Sequence, residues 1–166
     1  VAEANGAARW RVLLSCAAAY VLATAAFLPD PVASHFGPGG AANGSMPRTV
    51  YVVFMLLLVV GLPAFVVWAS SAALARPGAR INLPHRDYWL APERREQSLA
   101  AIRTGMRQFA EMLVCFLCYA QALVVRANQV QPAHLDSAWF DAGLAVFFVV
   151  FLWWLRRFLR RFRRAT

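Results

Sequence analysis

Four groups of side chains in this sequence have the types and spacing to do chemistry. The first is Cys115-x-x-Cys118. On a helix this spacing puts both thiols on one face, as redox and zinc motifs require. A tetrahedral zinc needs four ligands, though, and no second pair exists. Covalent haem would need a histidine directly after the second cysteine, where Tyr119 stands. The two cysteines, like Cys16, therefore read as small apolar fillers. The second group is Glu111 with Arg107 one helical turn earlier. An ionisable residue inside an apolar run is a functional candidate by default. A proton path would need further carboxylates in the same layer, and none is present. The i,i+4 spacing instead predicts a Glu111–Arg107 ion pair. Glu111, Cys115 and Cys118 would then form one stripe facing another helix.

The third group is His35, which joins His134, Asp30 and Asp136 on one side of the chain as a conceivable metal or pH-sensing site. The two histidines sit on separate loops without ligand spacing, so His35 is expected to pin its loop by hydrogen bonds. The fourth is Asp87-Tyr88-Trp89, either an interfacial anchor or a docking patch for a partner. There is no nucleophile–base pair, phosphate loop or paired carboxylates. The expectation is a protein without catalytic activity, cofactor or metal.

The elements that position these groups are set by hydropathy. Hydrophobic residues make up 60% of the 166 positions, more than a soluble domain carries. Four apolar runs, at 12–28, 49–73, 109–125 and 138–155, have the length of helices crossing a ~30 Å hydrocarbon core. They lack the alternation of a barrel strand. The first run is expected to be a retained anchor. Arg11 lies too close to Cys16 for a lipoprotein signal. The predicted fold is all-α: a single domain over 1–166 with four transmembrane helices.

All 17 basic residues are arginine. They fall in the N-terminal segment, the 76–107 loop and the 156–166 tail, with only Arg48 and Arg126 in the other two loops. The positive-inside rule places both termini and the 76–107 loop in the cytoplasm. The 29–48 loop then faces outward. Pro29 ends the first helix, and Pro38, Gly39, Gly40, Asn43 and Gly44 build turns. Within 76–107, Pro92 and Glu93 start an amphipathic interfacial helix that runs toward the third span and bends at Gly105. Gly61-Leu62-Pro63 predicts a kink in the second span. The tail arginines Arg156, Arg157, Arg160, Arg161, Arg163 and Arg164 begin at a membrane exit. They are expected to hold the tail to anionic inner-leaflet lipids rather than to nucleic acid.

Two stretches carry a resemblance. One is Leu28-Pro29-Asp30, then His35-Phe36-Gly37, Gly40 and Asn43-Gly44. The other is Asn82-Leu83-Pro84-His85-Arg86-Asp87-Tyr88-Trp89-Leu90-Ala91-Pro92-Glu93-Arg94-Arg95. Together they resemble a bacterial membrane domain of unknown function found in the family of SdpI-type toxin-immunity proteins. Asn43 stands where that pattern has aspartate, and His85 where it has asparagine. The resemblance implies a four-span protein of the bacterial inner membrane. Two functions are expected from it and from the residues. The first is an accessory subunit packing its Glu111 face against a larger membrane assembly. The alternative is an immunity or envelope-sensing protein whose outer loop engages a peptide or toxin.

Overall fold

The structure, a computed structural model, describes residues 2–76 and 81–163, with side chains from residue 6. Arg80 and Arg164, counted above, lie outside the described residues. The chain is mostly helical. Three helical stretches are long and apolar enough to cross a membrane: Arg48–Ala75, Pro92–Ala127 and Ser137–Arg160. This is the build of a multi-pass membrane protein.

Helix α1 (Ala2–Ala25) comes first. It stops before Leu28, earlier than the 12–28 run predicts. Its last turn tightens into i→i+3 bonds, with the Phe27 and Leu28 amides donating to the Thr24 and Ala25 carbonyls. Leu28 precedes a proline and leaves the helical region. The Arg48 guanidinium donates to the Leu28 carbonyl at 3.2 Å, and the Arg48 amide donates to Asp30 Oδ1 at 3.1 Å. Asp30 thus serves a free N–H at the start of the next helix, the ordinary need of a helix N-terminus.

Between these helices the all-α expectation fails. Strands β1 (Val32–Phe36) and β2 (Ala42–Met46) form an antiparallel hairpin. Its pairing steps from Ala33↔Ser45 to His35↔Gly44 and then to Phe36↔Ala42. Ser34 and Asn43 are therefore bulged, one on each strand. Gly40, at φ +83°, turns the chain between the strands. The strands escape the hydropathy reading because Ala42-Asn43-Gly44-Ser45-Met46 has no apolar alternation. They are held by partners distant in sequence.

The second apolar run is helical throughout, but not uniformly α. Helix α2 (Arg48–Leu56) passes through a π-helical stretch, Leu57–Gly61, into α3 (Leu62–Ala75). Pro63 has no N–H, and its ring would crowd a carbonyl of the preceding turn. The widened turn accommodates it, with the Leu62 amide donating back to Leu57 O. This is the physical form of the kink predicted at Gly61-Leu62-Pro63.

A short helix α4 (Arg86–Trp89) leads into α5 (Pro92–Ala127), 36 residues without a break. The interfacial helix and the third span are one element, and the helix runs unbroken through Gly105. A Cβ at Gly105 would collide with the Phe158 ring of helix α6 (Ser137–Arg160). The glycine is there for close approach.

Helix α5 is the spine. It packs against α1, α3, α4, α6, β1 and the π-helical stretch, whereas α6 packs substantially on α5 alone. One core, with Val21, Leu28, Val32, Tyr51, Val59 and Val114 among its buried members, joins α1, the hairpin base, α2 and α5. A second, at the other end, gathers Leu74, Leu99, Ile102 and Phe162.

Candidate functional site

Helices α5 and α6 meet along an aromatic seam. Phe147, Phe151, Trp154 and Phe158 of α6, and Phe162 just past its end, follow one another with ring centroids 5.3–6.3 Å apart. Phe109 and Phe116 of α5 join them, the latter 4.8 Å from Phe147. Trp154 Nε1 donates to Gln108 Oε1 at 3.2 Å, which fixes the two helices in register. At the far end, Tyr119 fills the space that a side chain at Gly143 would take, and its hydroxyl donates to Trp139 O at 2.6 Å.

A groove of about 810 Å³ runs along this seam. Its α6 wall extends from Trp139 to Arg161, about 33 Å at 1.5 Å per residue, close to the thickness of a hydrocarbon core. Its charged groups and Gln108 are toward one end: Gln108 and Glu111 from α5, Arg157 from α6 and Arg161 just past it. Arg157 sits over the Trp153 ring at 5.6 Å.

The groove corrects two sequence expectations. Among the described residues, Glu111 and Arg107 make no ion pair. Glu111 lines the groove, while Arg107 turns toward α1, its Nη1 2.5 Å from where a Gly6 Cβ would stand. The Arg107 Nε is buried and has no hydrogen-bond partner among the described residues. The predicted stripe also splits. Cys115 lines the groove with Glu111, but Cys118 packs against the core that holds Val21 and Tyr51. An offset of seven residues drifts by about 20° around an ideal helix. That drift and the one-turn offset from Cys115 carry Cys118 across the helix-packing boundary.

The tail is not a free basic segment. Residues to Arg160 continue α6, and Phe162 is 2% exposed. Trp89 docks on it edge-to-face at 5.7 Å and donates from Nε1 to Phe162 O at 2.7 Å. Ser98 Oγ donates to Trp89 O at 2.8 Å. Trp89 is thus a latch between the 81–91 segment and the end of α6. Tyr88 stacks under Arg94 at 4.1 Å, and Asp87 is exposed. Arg156, Arg157, Arg160, Arg161 and Arg163 are all exposed.

At the opposite end the two loops close over each other. The Asn128 side chain, 5% exposed, accepts from Ala33 N and donates to Ala33 O, both at 2.9 Å, as a neighbouring strand would. On the β2 side, Ala42 N donates to Ala133 O, Leu135 N donates to Gly40 O, and Ala41 bridges to His134. His35 is exposed, with Nδ1 3.1 Å from Ser34 Oγ. His134 packs beside Gly40. Among the described residues, no three His, Cys, Asp or Glu side chains converge as metal ligands. One layer below, Tyr51 Oη donates to Gln121 Oε1 at 2.7 Å, and Gln121 Nε2 donates to Thr24 Oγ1 at 3.0 Å. Thr24 in turn donates to Tyr20 O at 2.8 Å. Gln121 is 0% exposed.

Strand pairing, the Asp30 contact and the π-helical turn make α1, the hairpin and α2 one continuous unit. Residues 12–60 match DUF1648, a domain of unknown function. No curated protein and no solved structure matches the chain. The DUF1648 segment supplies Tyr51 and Thr24 of the polar chain and Ala33 of the cap, while Gln121 and Asn128 come from outside it. The α5/α6 groove lies wholly outside DUF1648.

The sequence put Glu111 and Cys115 on one stripe and Arg157 and Arg161 in the tail, but did not bring the two pairs together. It missed Gln121 and Asn128. Both are amides within or at the end of an apolar run, a signal that could have been read, since such groups in lipid act as interhelix hydrogen-bonding glue.

Proposed function

We propose that this chain is a non-catalytic accessory protein of the bacterial inner membrane that packs against a larger membrane protein assembly through the α5/α6 groove. The groove carries this reading. It is membrane-long, apolar and open, and it exposes Glu111. A charged side chain facing lipid costs about 2.5–3.5 kcal/mol at the bilayer centre on insertion scales, and less near an interface. A covering protein surface removes that cost.

In this reading α1 is a fourth span, since its apolar part packs beside α2 and α5. Both termini are cytoplasmic. The arginine asymmetry supports this, because Arg48 lies at the hairpin end and the tail cluster beyond Trp154 at the other. The exposed tail arginines face the anionic inner leaflet.

Solubilising native membranes gently after photo-crosslinking from Val146, on the groove wall, tests the reading. A single large membrane protein captured in stoichiometric yield is the expected result. Lipid adducts alone would overturn it.

The ordered outer cap and its exposed His35 favour a second reading, an SdpI-like immunity or envelope-sensing protein whose cap engages a peptide or toxin. Toxin resistance conferred by the free protein, and lost on His35→Ala, would favour that reading over the first.

A further inference from the structure

We propose that the groove's occupant is a partner transmembrane helix carrying one basic side chain at the level of Glu111 and one acidic side chain about 6 to 10 residues nearer the cytoplasmic end. This rests on the reading of the groove as a docking face and adds the chemistry and register of what docks.

The register follows from the α5/α6 pairing. Gln108 is level with Trp154, to which it is hydrogen-bonded. Glu111 lies three residues beyond Gln108 in one direction, and Arg157 lies three residues beyond Trp154 in the other. The helices run antiparallel, so the two offsets add. At 1.5 Å per residue, Glu111 and Arg157 are separated by about 9 Å along the groove, and Glu111 and Arg161 by about 15 Å. These distances correspond to about 6 and 10 residues on a helix lying in the groove. Glu111 is the groove's one carboxylate, and Arg157 and Arg161 are its two cations. Among the described residues Glu111 has no ion pair. The groove therefore presents an ordered pattern, negative then positive, at fixed depths. A lipid with its phosphate at the arginines would offer only acyl chain at Glu111, whereas a helix can complement both ends. The groove's length, about one bilayer core, also suits a spanning helix better than a single-leaflet chain.

The test uses the full-length protein in phosphatidylcholine vesicles with synthetic leucine–alanine transmembrane peptides. Three are needed: neutral, carrying one arginine, and carrying arginine with glutamate seven residues toward the cytoplasmic end. Protection of Cys115 from a membrane-soluble maleimide reports occupancy. Cys118, packed against the core, serves as an internal control. The arginine–glutamate peptide should protect at a concentration at least ten-fold lower than the neutral one. Glu111→Gln should abolish the advantage of the one-arginine peptide over the neutral one. Glu111→Lys should transfer the preference to a peptide carrying glutamate at both levels, since Arg157 and Arg161 remain. Equal protection by neutral and charged peptides would overturn the charge pattern and leave the docking face standing. Protection by phosphatidylglycerol alone, with none by any peptide, would overturn both.

Discussion

Asn128 is a single side chain doing the work of a strand. Its amide occupies both the N–H and the C=O of Ala33 and a third partner, Val124 O, also at 2.9 Å. Replacing it with leucine would leave two buried backbone groups unsatisfied, each costing about 1–3 kcal/mol. Asn128→Leu should lower the thermal midpoint in detergent and speed hydrogen exchange at the Ala33 amide. The second measurement separates loss of the clasp from general loosening. Tyr51 and Gln121 make a milder case. Interhelix hydrogen bonds in membranes average about 0.6 kcal/mol, so a Tyr51→Phe/Gln121→Leu double-mutant cycle should return a coupling of that order. A coupling near zero would mean that the Tyr51–Gln121 hydrogen bond contributes nothing net. His85 holds φ +51° at the start of α4, in the left-handed region where asparagine and glycine are favoured. His85→Gly should be neutral or stabilising, by up to about 1 kcal/mol in denaturant unfolding, because it removes the Cβ strain.

At the scale of elements, helix positions were legible and their joints were not. The runs at 49–73, 109–125 and 138–155 all fall within helices, because long apolar stretches have few alternatives in lipid. The hairpin was hidden because its stability comes from Asn128 and residues 133–135, about a hundred positions away. Gly105 was read as a bend alone, although a glycine in a helix has two uses, hinge and close contact. The facing ring, Phe158, reveals the second. The same logic gives a test. Gly105→Leu and Gly143→Leu should each push α6 away from α5 at opposite ends of the seam, since Phe158 and Tyr119 occupy those spaces. The shift should appear as altered tryptophan fluorescence and a faster-labelled Cys115, with α1–α3 contacts unchanged. Unaltered labelling in both variants would mean that the aromatic seam yields without separating the helices.

Over the whole molecule, the loops segregate. Residues 28–48 and 128–136 meet at one end, and α4, Ile81 and Phe162 meet at the other. The arginine distribution anticipated which loops share a side, because charge bias along a chain encodes side rather than contact. It could not anticipate that residues 28–48 and 128–136 interlock, that Trp89 grips the tail, or that Glu111 and Arg107 face different neighbours. A glutamate and an arginine one turn apart can rotate to separate partners at little cost. Reporter fusions at Gly40 and Thr166 should give outside and inside signals respectively. An outside signal from the Thr166 fusion would reverse the orientation.

The closure of the hairpin by Asn128 and residues 133–135 also has a consequence in time. During synthesis the DUF1648 segment is made before α5, so both edges of β1–β2 stay bare until residues 128–135 have followed α5. A ribosome stalled between α3 and α5 would leave an unfinished sheet, with free main-chain groups that any extended chain nearby could borrow. The cap can shut only when the far end of α5 has been brought back to the hairpin.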